Sequence, residues 1–215
     1  MTVIWRALLL LALLGGCGTA TQNNPALAQI SDRITGEVAE FDPRFIALLR
    51  AEAPALQVGF PDGGTGGTLL LERRDGAFDY WLSPDGVQIV LEAGMLHGTR
   101  GLGDGLLASE TRAARALVRG ARAGVADRFH TYLDGEDFAV TRTFRCVIAP
   151  LGPDEVEIPG TGPVATILVR EVCASLDEGF ENLYWVVPST GDIVVSRQWA
   201  GAETGALSTR VVVTP

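Results

Sequence analysis

Turn signals divide the chain after Pro54 into short apolar runs, and this punctuation limits the possible folds more than any other feature. Asp62-Gly63, Asp75-Gly76, Asp85-Gly86, Asp134-Gly135 and Thr190-Gly191-Asp192 recur between segments rich in Val, Leu, Ile and aromatic residues. Asp-Gly pairs tolerate the positive φ angles of tight hairpins, so the pattern predicts antiparallel strands joined by short connections. Strands are predicted near 55–60, 67–73, 77–82, 87–92, 94–99, 127–133, 137–149, 163–175, 181–188, 192–200 and 206–213. So many strands in one flat sheet would be unusual, so a mostly β meander curved into a strongly bent sheet or incomplete barrel is expected.

Two helices accompany the strands. Asp42 can cap a helix running to Glu52, with Pro43 in its first turn, an apolar face of Phe45, Ile46, Leu48 and Leu49, and Pro54 as the stop. Ser109 to Arg122, rich in alanine and arginine, predicts a second helix inserted in the meander, with Leu117 and Val118 for burial and Gly120 or Gly124 ending it.

The first residues resemble a bacterial lipoprotein signal. Arg6 precedes an apolar stretch, Ala7 to Leu14, and Leu14-Gly15-Gly16-Cys17 places small residues before a lipid-accepting thiol. The apolar run is far shorter than the roughly twenty residues that span a bilayer. The expected organisation is a signal peptide at 1–16, a lipidated Cys17 with a polar tether to residue 34, and one domain over 35–215. Gly18 stands where inner-membrane lipoproteins carry Asp, so the expected location is the outer membrane, lipid-anchored on its periplasmic face.

Without residues 1–16 the chain has 16 basic and 26 acidic side chains, a net charge of −10. That balance disfavours nucleic acid, which is bound through basic patches. All 17 basic residues are arginine, which excludes a phosphate-binding P-loop lysine or a lysine Schiff base. With Cys17 acylated, Cys146 and Cys173 remain as a pair in an oxidising compartment, and a disulfide is expected, with two buried thiols as the alternative. Its closure stabilises by about 3 to 4 kcal/mol on a chain-entropy basis. If the cysteines face each other across a hairpin, Val147 opposes Val172, Ile148 opposes Glu171 and Phe144 opposes Ser175, with 150–162 as the closing loop. On these strands Phe138, Val140, Phe144, Cys146 and Ile148 share a face broken by Arg142, and Ile167, Val169 and Cys173 share one broken by Glu171.

Arg112, Arg115, Arg119 and Arg122 fall on one stripe of the second helix. The stripe reads either as a solvated face paired with nearby acids or as a ridge that contacts phosphate or an acidic polysaccharide through bidentate guanidinium groups. Trp81, Trp185 and Trp199 lie near strand ends, where they serve core packing or a stacked sugar. Gly101-Leu102-Gly103-Asp104-Gly105 lacks the surroundings of a dinucleotide site, and Gly63-Gly64-Thr65-Gly66-Gly67 lacks a lysine. His97 and His130 have no ligand spacing and read as structural, and Asp134 with Asp137 read as exposed turn acids. No catalytic residue, metal site or cofactor is assigned.

Asn182-Leu183-Tyr184-Trp185-Val186, a turn at Gly191 and Ile193-Val194-Val195-Ser196-Arg197-Gln198-Trp199-Ala200-Gly201 resemble a Tyr-Trp strand followed by a Ser-x-Gln-aromatic-x-Gly strand. Gly94-Met95-Leu96 leading into Gly101-Leu102-Gly103-Asp104, and Thr141-Arg142-Thr143, agree with the same pattern. These segments resemble the YjbF/GfcB family of exopolysaccharide and capsule-associated outer-membrane lipoproteins. The resemblance implies a non-enzymatic lipoprotein that assists polysaccharide export or assembly by contacting the glycan or export proteins. A carrier of lipids or lipoproteins is the second expectation, and a polysaccharide-modifying enzyme, needing two convergent carboxylates, is the third.

Overall fold

The structure is a computed structural model that describes residues 41–64, 66–103, 105–133, 136 and 138–212. The signal peptide, Cys17, the tether and Asp134, Gly135 and Asp137 lie outside the described residues. The described chain forms helix α1 (Pro43–Arg50), strands β1 (Ala55–Gly59), β2 (Gly67–Asp75), β3 (Phe78–Leu82), β4 (Gln88–Glu92), β5 (Met95–Arg100) and β6 (Leu106–Glu110), and helix α2 (Arg112–Arg119). Strands β7 (Gly124–Leu133), β8 (Ala139–Ile158), β9 (Gly162–Ala174), β10 (Gly179–Val186), β11 (Ile193–Gly201) and β12 (Gly205–Val212) follow.

All described pairings are antiparallel, in the order β5-β4-β3-β2-β1-β12-β11-β10-β9-β8-β7-β6. Only the β1–β12 pairing departs from a meander, and it joins the two halves of the chain into one curved, nearly closed sheet. The terminal strands β5 and β6 face each other across a seam. Side chains hold this seam where a ladder would otherwise run: Leu106 N donates to Thr99 Oγ1 at 3.1 Å, and His97 Nδ1 lies 2.9 Å from the Ser109 carbonyl oxygen. Gly98 permits the approach, because a Cβ there would stand 3.2 and 3.3 Å from the carbonyl oxygens of Leu106 and Leu107.

The sequence expectation omits β6, whose five residues merge with the start of the predicted helix. That helix starts later, at Arg112, because Ser109 and Glu110 are paired with β7. The predicted loop at 150–162 is also corrected: β8 and β9 continue as a ladder to Ile158 and Gly162, despite Pro150 and Pro153. A register shift between Pro150 and Gly152 absorbs the prolines, as a bulge can. Cys146 opposes Cys173, Val147 opposes Val172 and Ile148 opposes Glu171 as expected, but Phe144 opposes Arg128 of β7 and has no partner in β9. The disulfide is formed.

In α1, Asp42 caps the helix by accepting from Arg44 N at 2.8 Å, and Phe45 packs with Leu70 and Leu82. Leu49 is exposed, so the buried stripe is narrower than expected. Leu69 and Trp81 belong to a separate cluster on the other face of β2 and β3. That cluster, with Leu56, Ile89, Leu91 and Leu207, fills one part of the interior. A second, around Phe144, Val169, Tyr184 and the disulfide, fills the other and receives Ala114 and Val118 of α2. Phe138 and Val140 are exposed, so the apolar face of β8 becomes buried only from Phe144 onward. Gln198 of β11 reaches β5, where its Oε1 accepts from Leu96 N at 2.7 Å and its Nε2 donates to Gly94 O at 2.9 Å.

Candidate functional site

Strand alternation in β7 turns Ala126, Arg128, His130 and Tyr132 inward, and thereby buries a cation in the second cluster. Arg128 is 2% exposed and meets Glu171 of β9, which is 0% exposed. Its Nη1 donates to Glu171 Oε2 at 2.9 Å, and its Nη2 donates to Ser109 Oγ at 2.8 Å. Asn182 Nδ2 and the Tyr184 hydroxyl also donate to Glu171 Oε2, both at 2.8 Å. The three hydrogen bonds on Glu171 Oε2 offset part of the cost of burying both charges, while Glu171 Oε1 and Arg128 Nε have no hydrogen-bond partner among the described residues. Burial pulls the Arg128 guanidinium down most strongly, but the Glu171 charge together with Tyr184 and the hydrogen bonds to both holds the group above its usual value. Burial, then the Glu171 charge, pushes the Tyr184 hydroxyl well above the usual tyrosine range.

His130 sits beside this pair, stacked 5.3 Å from Phe180, with Nδ1 3.0 Å from the Tyr132 hydroxyl. Burial, then the Arg128 charge, pushes its imidazole down to about 2, so it is neutral and structural at ordinary pH. Cys146, Glu171 and Cys173 offer ligand atoms within 4.8 Å of one another. The two sulfurs are bonded to each other and present no thiolate, so this cluster is not a metal site. Sequence reasoning missed Arg128, and took Glu171 as a break in an apolar face. The detectable signal was a charged residue at an inward position of each strand.

The helix ends at Arg119, with Ala121 at φ 45°, so Arg122 lies beyond it and the expected stripe keeps three arginines; the four have different surroundings. Arg115 pairs with Glu92, and Arg119 Nη2 lies 3.3 Å from Asp192 Oδ1 and 3.4 Å from Thr190 O. Arg122 Nη2 donates to Ala116 O at 3.3 Å, and Arg112 is exposed. Burial would raise the Glu92 carboxyl, but hydrogen bonds from Arg115 and Thr111 and the Arg115 charge hold it below the usual range. Arg115 and Arg119 thus tie α2 to β4 and to the β10–β11 turn.

The tryptophans also separate. Trp185 is half-buried and donates its indole N–H to Asp154 Oδ2 at 2.7 Å. Trp199 stacks on Phe180 with ring centroids 6.1 Å apart. Trp81 is 5% exposed, and its indole N–H has no hydrogen-bond partner among the described residues. A cavity of about 160 Å³ brings Trp81 and Arg119 together, along with Asp79 and Asp192. A larger one of about 320 Å³ lies among Val58, Phe60, Leu69, Ile89 and Leu102, and of its polar side chains Thr68, Ser83 and Asp85 the last two are hydrogen-bonded to each other.

This architecture defines a class: nearly closed antiparallel barrels of a single meandering sheet with one seam. The chain belongs to the YjbF family, described as group 4 capsule polysaccharide lipoprotein GfcB, YjbF, which matches residues 39–212. The family is that of a capsule-associated lipoprotein, and the chain's role is linked to capsule polysaccharide. The fold is similar to the crystal structure of the hypothetical lipoprotein YmcC from Escherichia coli K12, with a TM-score of 0.65 and 18% identity, covering 92% of this chain and 98% of that one. No curated protein matches the sequence.

Proposed function

We propose that the protein is a non-enzymatic, lipid-anchored accessory factor on the periplasmic face of the outer membrane, assisting export or assembly of capsule or exopolysaccharide. The family match across nearly the whole described barrel carries this reading. A lipoprotein signal ending at Cys17 supports the anchor, and Gly18 supports the outer membrane. The protein works by offering a surface to glycan or to export proteins.

The packing favours this over a lipid carrier. Leu56, Met95, Phe144, Tyr184 and Leu207 are each at most 1% exposed, and the apolar-lined cavity of about 320 Å³ beside Val58 and Leu69 lies at the small end of ligand-pocket size. Against an enzyme, the two carboxylates sharing a cavity are each engaged by an arginine, Asp79 by Arg74 and Asp192 by Arg119. Deleting the gene is expected to change the amount, chain length or attachment of surface polysaccharide. Wild-type values for all three under inducing conditions would reject the proposal.

A further inference from the structure

We propose that the outer face of β7 and β8 is the interface of a homodimer, in which Asp127 of each copy pairs with Arg145 of the other. Self-association of this kind goes beyond the accessory role above and is independent of the polymer handled.

Strand alternation turns Val125, Asp127, Phe129 and Leu133 of β7 to the outside of the barrel. Register sets Val147 of β8 beside Val125, and Val172 of β9 beside Val147, so three valines form a row across three strands. Val125 is 52% exposed and Val147 55%, and Val172, Phe129 and Leu133 are exposed as well. Contiguous exposed apolar patches mark sites of protein or membrane contact. The outer surface elsewhere differs. Helix α1 covers β2 and β3 through Phe45, which packs with Leu70 and Leu82, and the outward positions of β9, β11 and β12 include Arg170, Arg197 and Arg210.

One pair of charges interrupts the patch and identifies its occupant. Asp127 and Arg145 oppose each other in the β7–β8 ladder and both are exposed, yet neither forms an ion pair among the described residues. A twofold axis lying in the interface, parallel to the strands and between β7 and β8, sets β7 of one copy on β8 of the other at the same height. Asp127 then faces the partner's Arg145, and Val125 faces the partner's Val147. Phe129 faces the partner's Thr143 and Leu133 the partner's Ala139, so large side chains meet small ones. Each contact occurs twice, because one chain carries both halves of every pair.

Shape and polarity agree with a second copy. The outer face of a curved sheet is convex, so two barrels can meet over only a few strands, and the patch spans three. An axis parallel to the strands leaves Asp42, whose N–H donates to Pro84 O at 2.7 Å, at the same end of both copies. Both lipid anchors can then enter one leaflet. A bilayer surface would match the valines but would strand the Asp127 carboxylate beside lipid without a counter-charge.

The test sediments the full lipidated chain in density-matched detergent, as wild type, as Asp127→Arg, as Arg145→Asp, and as a mixture of the two differently tagged variants. Wild type is expected to form dimers. Each variant alone sets like charges across the interface, and is expected to dimerise at least about tenfold more weakly. The mixture is expected to regain wild-type dimerisation with one copy of each tag per dimer, since every altered charge then meets its opposite on the other chain. Restoration also shows that both variant chains are folded. Phe129→Ala, a neutral change on the same face, is expected to weaken dimerisation as well. A wild-type monomer at every concentration, wild-type dimerisation by both charge variants, or a mixture as monomeric as its components overturns the interface.

Discussion

Around β1 to β4 and β12 the interior is built from Leu56, Leu69, Trp81, Ile89 and Leu207, whereas around β7 to β10 it holds Arg128, His130, Glu171, Asn182 and Tyr184 beside a disulfide. The first region is stabilised by non-directional burial, which tolerates exchange among side chains of similar volume. The second is directional. A one-residue slip of β7 or β9 would move Arg128 or Glu171 to the outer face and break every bond of the set. The polar region also fixes α2. Arg128 holds Ser109 just before the helix, while β4 of the first region contributes Glu92, which accepts from Thr111 Oγ1 at 2.5 Å and pairs with Arg115. One half supplies apolar burial and the other sets register, and α2 is held from both, through Glu92 of the first and the Arg128–Ser109 bond of the second.

The contrast is broken most severely by removing one member of the buried pair. Glu171→Leu leaves Arg128 buried without its counter-charge and is expected to cost about 3 to 5 kcal/mol in urea unfolding. Leu207→Met in the apolar region should cost less than about 1.5 kcal/mol. Arg128→Met combined with Glu171→Leu should cost less than Glu171→Leu alone, because no uncompensated charge remains. Replacing Cys146 and Cys173 with alanine is expected to lower stability by about 3 kcal/mol, read as the shift between oxidised wild type and the variant.

Smaller effects sharpen the contrast. Gln198→Leu leaves the Leu96 amide and Gly94 carbonyl without their partner and should cost about 1 to 3 kcal/mol. His130 is held neutral, with a folded value of about 2 against 6.5 unfolded. Its contribution is complete above pH 6.5 and declines as pH falls toward 2, because the unfolded chain then binds the extra proton. The slope approaches about 1.4 kcal/mol per pH unit at its steepest, and stability measured in His130→Phe should lack this component. Arg122→Ala, in the exposed turn after α2, should change stability by less than about 0.5 kcal/mol.

The hairpins were legible because Asp75-Gly76 and Asp85-Gly86 announce tight connections by their backbone chemistry. The cysteine register was legible too, since a cross-strand disulfide leaves one alignment. Pro150 and Pro153 misled because a bulge in a long hairpin can absorb prolines that usually end a strand. Strand β6 was hidden beside the alanine and arginine of α2, where local propensity does not reveal where pairing stops. Trp81 and Arg119 were visible as separate candidates, but their meeting depends on β3, α2 and the β10–β11 turn converging. The ion pair depends on β7 and β9 facing the same interior, which alternation within either strand alone does not establish.

The most direct test of the claim that the polar region positions α2 is native-state hydrogen exchange on Arg128→Met combined with Glu171→Leu, which leaves no buried charge unpaired. The account predicts at least a tenfold loss of protection in the amides of β6 and α2, with the amides of β1 to β4 changed far less. Equal loss throughout the barrel, or α2 protection equal to wild type, would contradict it.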